Sequence, residues 1–298
     1  MRKVYPALVL LVAVAALAGV WQVLGARAQP HSLVSPRPAV QAEGPQDRTG
    51  GPSAAAPPQD GKPAAAAPLV ADKPDFTVPT QYRGQVIRKR VRHFPRKLLA
   101  LTFDDGPSPS ITPKVLKTLR EHHAHATFFV LGRSVKRWPQ LVRQAAQEGH
   151  AIGNHSYSHP SSTSAAEAVL QLQQTAALIE QATGQKPHLF RPPYGITKGN
   201  LCQTALQQGY TAVLWTISSA DSRPIGSAVI ARNIIHTPNP GDIVLMHDAE
   251  THAATAAALP QILDELSAAG FEFVTLPTLL QAWAQWQGEQ GAKPHAQQ

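Results

Sequence analysis

From residue 98 onward the sequence repeats one pattern, a short apolar run followed by a stretch of helical periodicity, and that repetition leaves few folds open. Residues 98–103, 126–130, 151–154, 188–190, 212–217, 242–246 and 272–275 read as strands. Helices are expected near 112–121, 139–148, 164–183, 198–208, 226–235, 254–269 and 277–286. Seven such strand–helix units in succession call for a parallel sheet covered by helices, since each parallel connection needs a crossover. Periodicity by itself leaves closed barrel and open sheet both available.

The first third of the chain is built differently. Arg2 and Lys3 precede an apolar run over residues 7–24, and Ala26-Arg27-Ala28 has the small-x-small form of a signal-peptidase site. Residues 1–28 therefore read as an export segment, either a cleaved signal peptide or an uncleaved membrane anchor through residues 7–24. Residues 30–79 hold 11 prolines among Ala, Gln, Gly and Ser, with too little apolar surface to offset the entropy of ordering. Residues 29–92 are expected to be a disordered Pro/Ala-rich linker ending in a basic stretch; Arg83, Arg88, Lys89, Arg90 and Arg92, followed by Arg96 and Lys97 beyond it, run without an intervening acid. The formal charge of +8 is concentrated there: residues 1–97 carry 14 Lys and Arg against 5 Asp and Glu, residues 98–298 carry 13 against 14. A near-neutral globular part excludes a basic nucleic-acid-binding domain. The single cysteine, Cys202, excludes an intramolecular disulfide and a cysteine-rich zinc module. No obligate protein partner is implied, and residues 288–298 read as a disordered tail.

In parallel α/β folds the active site lies at the C-terminal ends of the strands. Standing there are Asp104 and Asp105 after the first strand, His155 and His159 after the third, Arg191 after the fourth, Asp221 after the fifth, and His247 and Asp248 after the sixth. Adjacent carboxylates cannot share one environment, so one is drawn to a cation and the other is left for proton transfer. Two imidazoles four residues apart, with a carboxylate from a neighbouring strand, make a set of three ligands that leaves open positions for water and substrate. Phe128, Phe129 and Trp215 read as core, and Trp138, Trp283 and Trp286 as helix-packing residues. His122, His123 and His125 have no acid or cysteine spaced to join them in a second metal site.

Four segments, TFDDGPS (102–108), HSYSH (155–159), RPPYG (191–195) and IVLMHD (243–248), resemble in this order the motifs of the polysaccharide deacetylase family, carbohydrate esterase family four, over residues 97–286. The resemblance implies an α/β catalytic domain over 93–287, a distorted (β/α) barrel of about seven parallel strands. It implies one divalent metal ion, Zn2+ or Co2+, on Asp105, His155 and His159, with Asp104 as general base and Arg191 orienting it. His247 would protonate the departing amine, a backbone N–H near Tyr194 would meet the oxyanion, and Leu245 would pack against the acetyl methyl, though its residue type reads equally as strand core. The implied activity is metal-dependent hydrolysis of the N-acetyl group of an N-acetylglucosamine-containing polysaccharide, peptidoglycan above others, in the cell envelope or outside the cell. Chitin oligomers, poly-N-acetylglucosamine and O-acetyl xylan fit the same motifs, and a non-catalytic glycan-binding envelope protein is the competing class. One motif departs: where relatives carry D-x-x-D-W, this chain reads Ser218-Ser219-Ala220-Asp221-Ser222. The first Asp, which the family uses to tune the catalytic histidine, and the Trp, a wall of the acetyl pocket in relatives, are missing; either Asp221 or Asp248 tunes His247 or His247 is less basic here, with lower activity or an altered substrate as the implied consequence.

Overall fold

Nine strands, eight α-helices and two short 3-10 helices are present among the described residues, 76–236 and 238–292 of the computed structural model. The strands are β1 Val86–Ile87, β2 Leu98–Asp104, β3 Ala126–Val130, β4 Ala151–Asn154, β5 Leu189–Phe190, β6 Thr211–Val213, β7 Ile217–Ser218, β8 Ile243–His247 and β9 Glu272–Phe273. The helices are α1 Thr112–Glu121, α2 Gly132–Arg137, α3 Pro139–Gln147, α4 Ala165–Thr183, α5 Asn200–Gln207, α6 Ser227–Ile235, α7 Ala253–Ala268 and α8 Leu276–Ala292. The sheet runs β1-β6-β5-β4-β3-β2-β8-β7, with β9 added to β2, and every pairing is parallel. The expected α/β fold is thus present, as a curved parallel sheet covered by helices.

Its closure differs from a regular barrel. The single strand expected over 212–217 is two, β6 on β5 and β1, and β7 on β8. Leu214, Trp215 and Thr216 carry the chain between them; the Leu214 N–H donates to Ile87 O and the Thr216 N–H to Ile243 O, both at 2.9 Å. Among the described residues no ladder joins β6 directly to β8, so the two are connected there by the chain itself through Leu214–Thr216.

The central strand shows why the site has a floor. β2 is buried along its whole length, and its alternation sends Leu99, Leu101 and Phe103 into the layer of α1, α3 and α7. Leu98 and Ala100 face the other way, onto Phe129, Val213 and the α8 residues Leu276, Leu280 and Trp283. Thr102 and Asp104 continue that inner row, so the interior is apolar at one end and polar at the strand C-termini. The long α4 starts on a capping box, with Ser164 Oγ accepting from the Glu167 N–H at 3.2 Å and Glu167 accepting from the Ser164 N–H at 2.8 Å. It stops at Gly184, whose φ of 75° suits the left-handed cap.

Two expected boundaries move. Residues 76–92, read in the sequence as the end of the linker, belong to the fold: Phe76 and Val78 are buried, and β1 pairs with β6. Their short apolar positions give no period to detect. Residues 288–292, read as part of the tail, complete α8, and the six-residue α2 was not expected. The export segment, the linker up to residue 75 and the tail from 293 lie outside the described residues; no described helix is long and apolar enough to cross a membrane.

Candidate active site

Arg191 organises the interior. It follows β5, is fully buried, and spends its donors on this chain: Nε on Val213 O at 3.0 Å, Nη2 on Leu214 O at 3.3 Å, Nη1 on Thr102 Oγ1 at 2.7 Å and on Asp104 Oδ1 at 2.8 Å. Its guanidinium lies 4.2 Å from the centroid of Phe129. A planar fork is suited to serving acceptors from several elements at once. Burial pushes the Asp104 carboxyl up, Arg191 offsets part of this, and the net direction is upward. Arg191→Met is therefore expected to cost about 3–5 kcal/mol of folding stability, because it leaves the Asp104 carboxylate buried without its counter-charge. Chemical denaturation monitored by circular dichroism measures this, with the larger loss at neutral pH than at a pH where Asp104 is protonated.

On the outer side of Asp104 three donor atoms converge. Asp105 Oδ1 lies 3.5 Å from both His155 Nε2 and His159 Nε2, and the Asp105, His155 and His159 ligand atoms all fall within 4.8 Å of one another. His155 Nδ1 donates to Arg191 O at 2.7 Å, which fixes the tautomer that leaves the Nε2 lone pair facing Asp105. Burial brings the His155 pKa down to about 3, so the ring is neutral. Asp105 Oδ1 is buried and accepts no hydrogen bond. A buried carboxylate oxygen with no donor, faced by the lone pair of the neutral His155 ring and by the Nε2 of His159, is a fit for a divalent cation and a poor arrangement without one.

The backbone is bent to make this possible. Asp105, Ser156, His159 and Tyr194 have φ of 72°, 70°, 64° and 57°, in the left-handed region that non-glycine residues avoid. Such strain costs on the order of 1–3 kcal/mol per residue and collects at functional sites. Ser156 Oγ accepts from the His159 N–H at 3.1 Å, and the His159 ring meets the exposed Tyr194 ring edge-on at 4.4 Å. Close approach also matters at Gly106, where a Cβ would stand 2.2 Å from Asp248 Oδ1.

The fourth wall carries His247 at the end of β8. Its Nδ1 donates to Asp221 Oδ1 at 2.8 Å, and its backbone N–H donates to Asp221 Oδ2 at 2.8 Å. Thr255 Oγ1 also donates to Asp221 Oδ2, at 2.7 Å. Burial disfavours the charged ring, but the Asp221 hydrogen bond and the nearby Asp104, Asp221 and Asp105 carboxylates outweigh it and raise the His247 pKa to about 9. Between the two residues left by the altered motif, the geometry selects Asp221. Asp248 instead accepts from Thr112 Oγ1 at 2.5 Å beneath Gly106, with a carboxyl that burial pushes up to about 7. Ser218, in the position of the missing Asp, is exposed on β7 and accepts from the Ala220 N–H at 3.2 Å. Leu245, two residues before His247, is 8% exposed and pairs in register with Thr102 and Ser218.

Sequence reasoning missed several residues of this site. His252 stacks on His247, centroids 4.9 Å apart and planes 22° apart. Asp221, His247 and His252 bring donor atoms within 4.8 Å, yet both Asp221 oxygens already accept hydrogen bonds, and near-parallel rings cannot aim in-plane lone pairs at one ion. Trp215 is half-buried near the Arg191 guanidinium and above Gly195, more wall than core. Thr102 and Thr255 are single hydroxyls whose partners come from distant elements, which no local pattern reveals.

The family model described as polysaccharide deacetylase matches residues 92–213, which take in the first three motifs; His247 lies beyond it. A peptidoglycan-N-acetylglucosamine deacetylase of Bacillus cereus is 36% identical over 187 residues, 61% of this chain and 68% of that one. Peptidoglycan-N-acetylglucosamine deacetylase PgdA of Listeria monocytogenes is 41% identical over 185 residues, again 61% of this chain, which spans 39% of the PgdA length. Among solved structures, the Bc1960 peptidoglycan N-acetylglucosamine deacetylase superposes with a TM-score of 0.63 at 32% identity, covering 67% of this chain and 94% of that one. With four motifs brought to one rim and a Bacillus cereus relative matched over 68% of its length at 36% identity, the chain belongs to the polysaccharide deacetylase family.

Proposed function

We propose that this protein hydrolyses the N-acetyl group of N-acetylglucosamine residues in peptidoglycan, using one zinc or cobalt ion on Asp105, His155 and His159 and releasing acetate. The observation that carries the reading is the division of labour around the three converging donor atoms: a carboxylate held by Arg191 on one side, an imidazolium held by Asp221 on the other. A cation bound there supplies Lewis acidity, polarising the amide carbonyl and acidifying water.

The chain's own residues do the rest. Asp104 Oδ1 is held by Arg191, and Oδ2, 3.8 Å from His155 Nε2, faces the donor cluster and accepts the proton of the attacking water. A carboxylate whose pKa is pushed up by burial is the better base for that step. His247 is charged at neutral pH, is anchored through Nδ1, and gives the proton on Nε2 to the leaving amine. A backbone N–H near Tyr194, in the left-handed turn, meets the oxyanion. Leu245 packs against the acetyl methyl.

A glycan-binding protein without turnover has no need of this pair. The feature that favoured such a reading, a fourth motif without its first Asp, loses its weight once Asp221 is seen bonded to His247. Export by residues 1–28 and tethering by the segment that follows put the domain among wall polymers, outside the cytoplasmic membrane.

Removing a ligand tests the metal reading. His155→Ala is expected to lower zinc content after dialysis from about one ion per chain to well below half, with loss of turnover, since a site with three protein ligands and open positions tolerates no missing one. A variant that retains one ion per chain would place the metal elsewhere.

A further inference from the structure

The basic stretch ahead of the domain is not part of the catalytic rim, and the fold gives it a definite setting. A groove of about 520 Å³ runs between the segment after β1 and the last turns of α8, lined by Tyr82, Lys89, Arg90, Arg92, Trp283 and Trp286, together with two glutamines, and by no acid. Lys89, Arg90 and Arg92 are exposed, and Trp286 is half-buried at its wall. Arg90 is paired with the buried Asp242 at 3.4 Å. Neighbouring Arg88 is bonded to Thr197 Oγ1, two residues past the RPPYG segment, and Trp283 packs beside Gly241, so the groove lies at the strand N-terminal ends, opposite the catalytic rim. Tyr82 OH donates to Gln287 Oε1 at 2.7 Å, which joins the segment to α8 and makes the groove part of the fold.

We infer that this groove is a second glycan-binding site that holds an anionic stretch of wall polysaccharide while the catalytic rim works on the same polymer. Cations beside an indole fit a sugar chain bearing carboxylates: the aromatic ring takes the apolar face of a pyranose, and the ammonium and guanidinium groups take the acids. An uncharged N-acetylglucosamine oligomer satisfies the indole and leaves the cations unused. The lack of acids in the lining is what a polyanion requires. The inference rests on the reading that the chain works on wall glycan, but it concerns binding and is separable from turnover.

The test compares the full chain with a Lys89→Gln/Arg92→Gln double variant, and with Trp286→Ala, in sedimentation with purified peptidoglycan sacculi at low salt. Two lost ion pairs at an exposed site are expected to weaken binding about five- to tenfold, with the difference vanishing in high salt. Sacculi whose carboxylates have been amidated should bind wild type as weakly as native sacculi bind the double variant. Acetate release from a neutral N-acetylglucosamine oligomer should be the same for wild type and the double variant; inactivity of both would count against the deacetylase reading and not against the groove. Equal binding of wild type and double variant to native sacculi overturns the inference. So does a difference between them seen on anionic-lipid vesicles and not on sacculi, which would assign the groove to a membrane surface.

Discussion

Asp104→Asn is expected to lower the rate of acetate release by about two to four orders of magnitude, the usual worth of a positioned general base, while zinc stays bound. The asparagine keeps the shape and can still accept from Arg191 Nη1, which now sits 2.8 Å from Oδ1 and is itself fully buried. It cannot take a proton. Metal content measured alongside the rate separates the two effects, because Asp104 is adjacent to the Asp105–His155–His159 cluster without being one of its three donors. A near wild-type rate in this variant would move the base to another residue. A lost metal would make Asp104 a ligand.

The second large effect concerns His247. Its acid form persists up to about 9 because Asp221 accepts from Nδ1. Asp221→Asn removes that acceptor charge, burial then weighs more heavily against the imidazolium, and the alkaline limb of the pH–rate profile should move down. Above the limb each unit of pKa is worth a factor of ten, so the rate at pH 8 is expected to fall about tenfold or more while the acidic limb stays in place. The same pairing stabilises the fold. A histidine whose folded pKa is raised contributes stability that is fully present below its ordinary value of 6.5 and is lost as pH rises through about 9, so the variant should show a flatter dependence of stability on pH across that window. Ser218→Asp, which writes the missing family carboxylate back in, should leave the limb where it is, since Asp221 already occupies the Nδ1 of His247. A limb unmoved by Asp221→Asn would mean that His247 is not the titrating acid.

How much of this was legible in the sequence follows from element length. The helix over 112–121 and the strand over 126–130 have the bounds the sequence suggested, because each spans enough residues for a period to show. Two-residue β1 and six-residue α2 carry no period, and both went unforeseen. The split between β6 and β7 comes from partner exchange at Leu214–Thr216, a tertiary event that leaves an unbroken apolar run in the sequence. The cluster of Asp105, His155 and His159 was legible because its residues stand at predicted strand ends and came in motif order. The partner of His247 was narrowed to two carboxylates and no further. Only the 2.8 Å contact to Asp221, made through the left-handed turn at Ala220, decides between them.

The most direct measurement is the appearance of acetate and of new primary amines when the full chain, loaded with zinc, is incubated with purified peptidoglycan. Expected are equal amounts of both products, abolished by a chelator and restored by zinc or cobalt. Folded protein carrying one metal ion that releases neither product from peptidoglycan or from N-acetylglucosamine oligomers would contradict the assignment of this site to deacetylation.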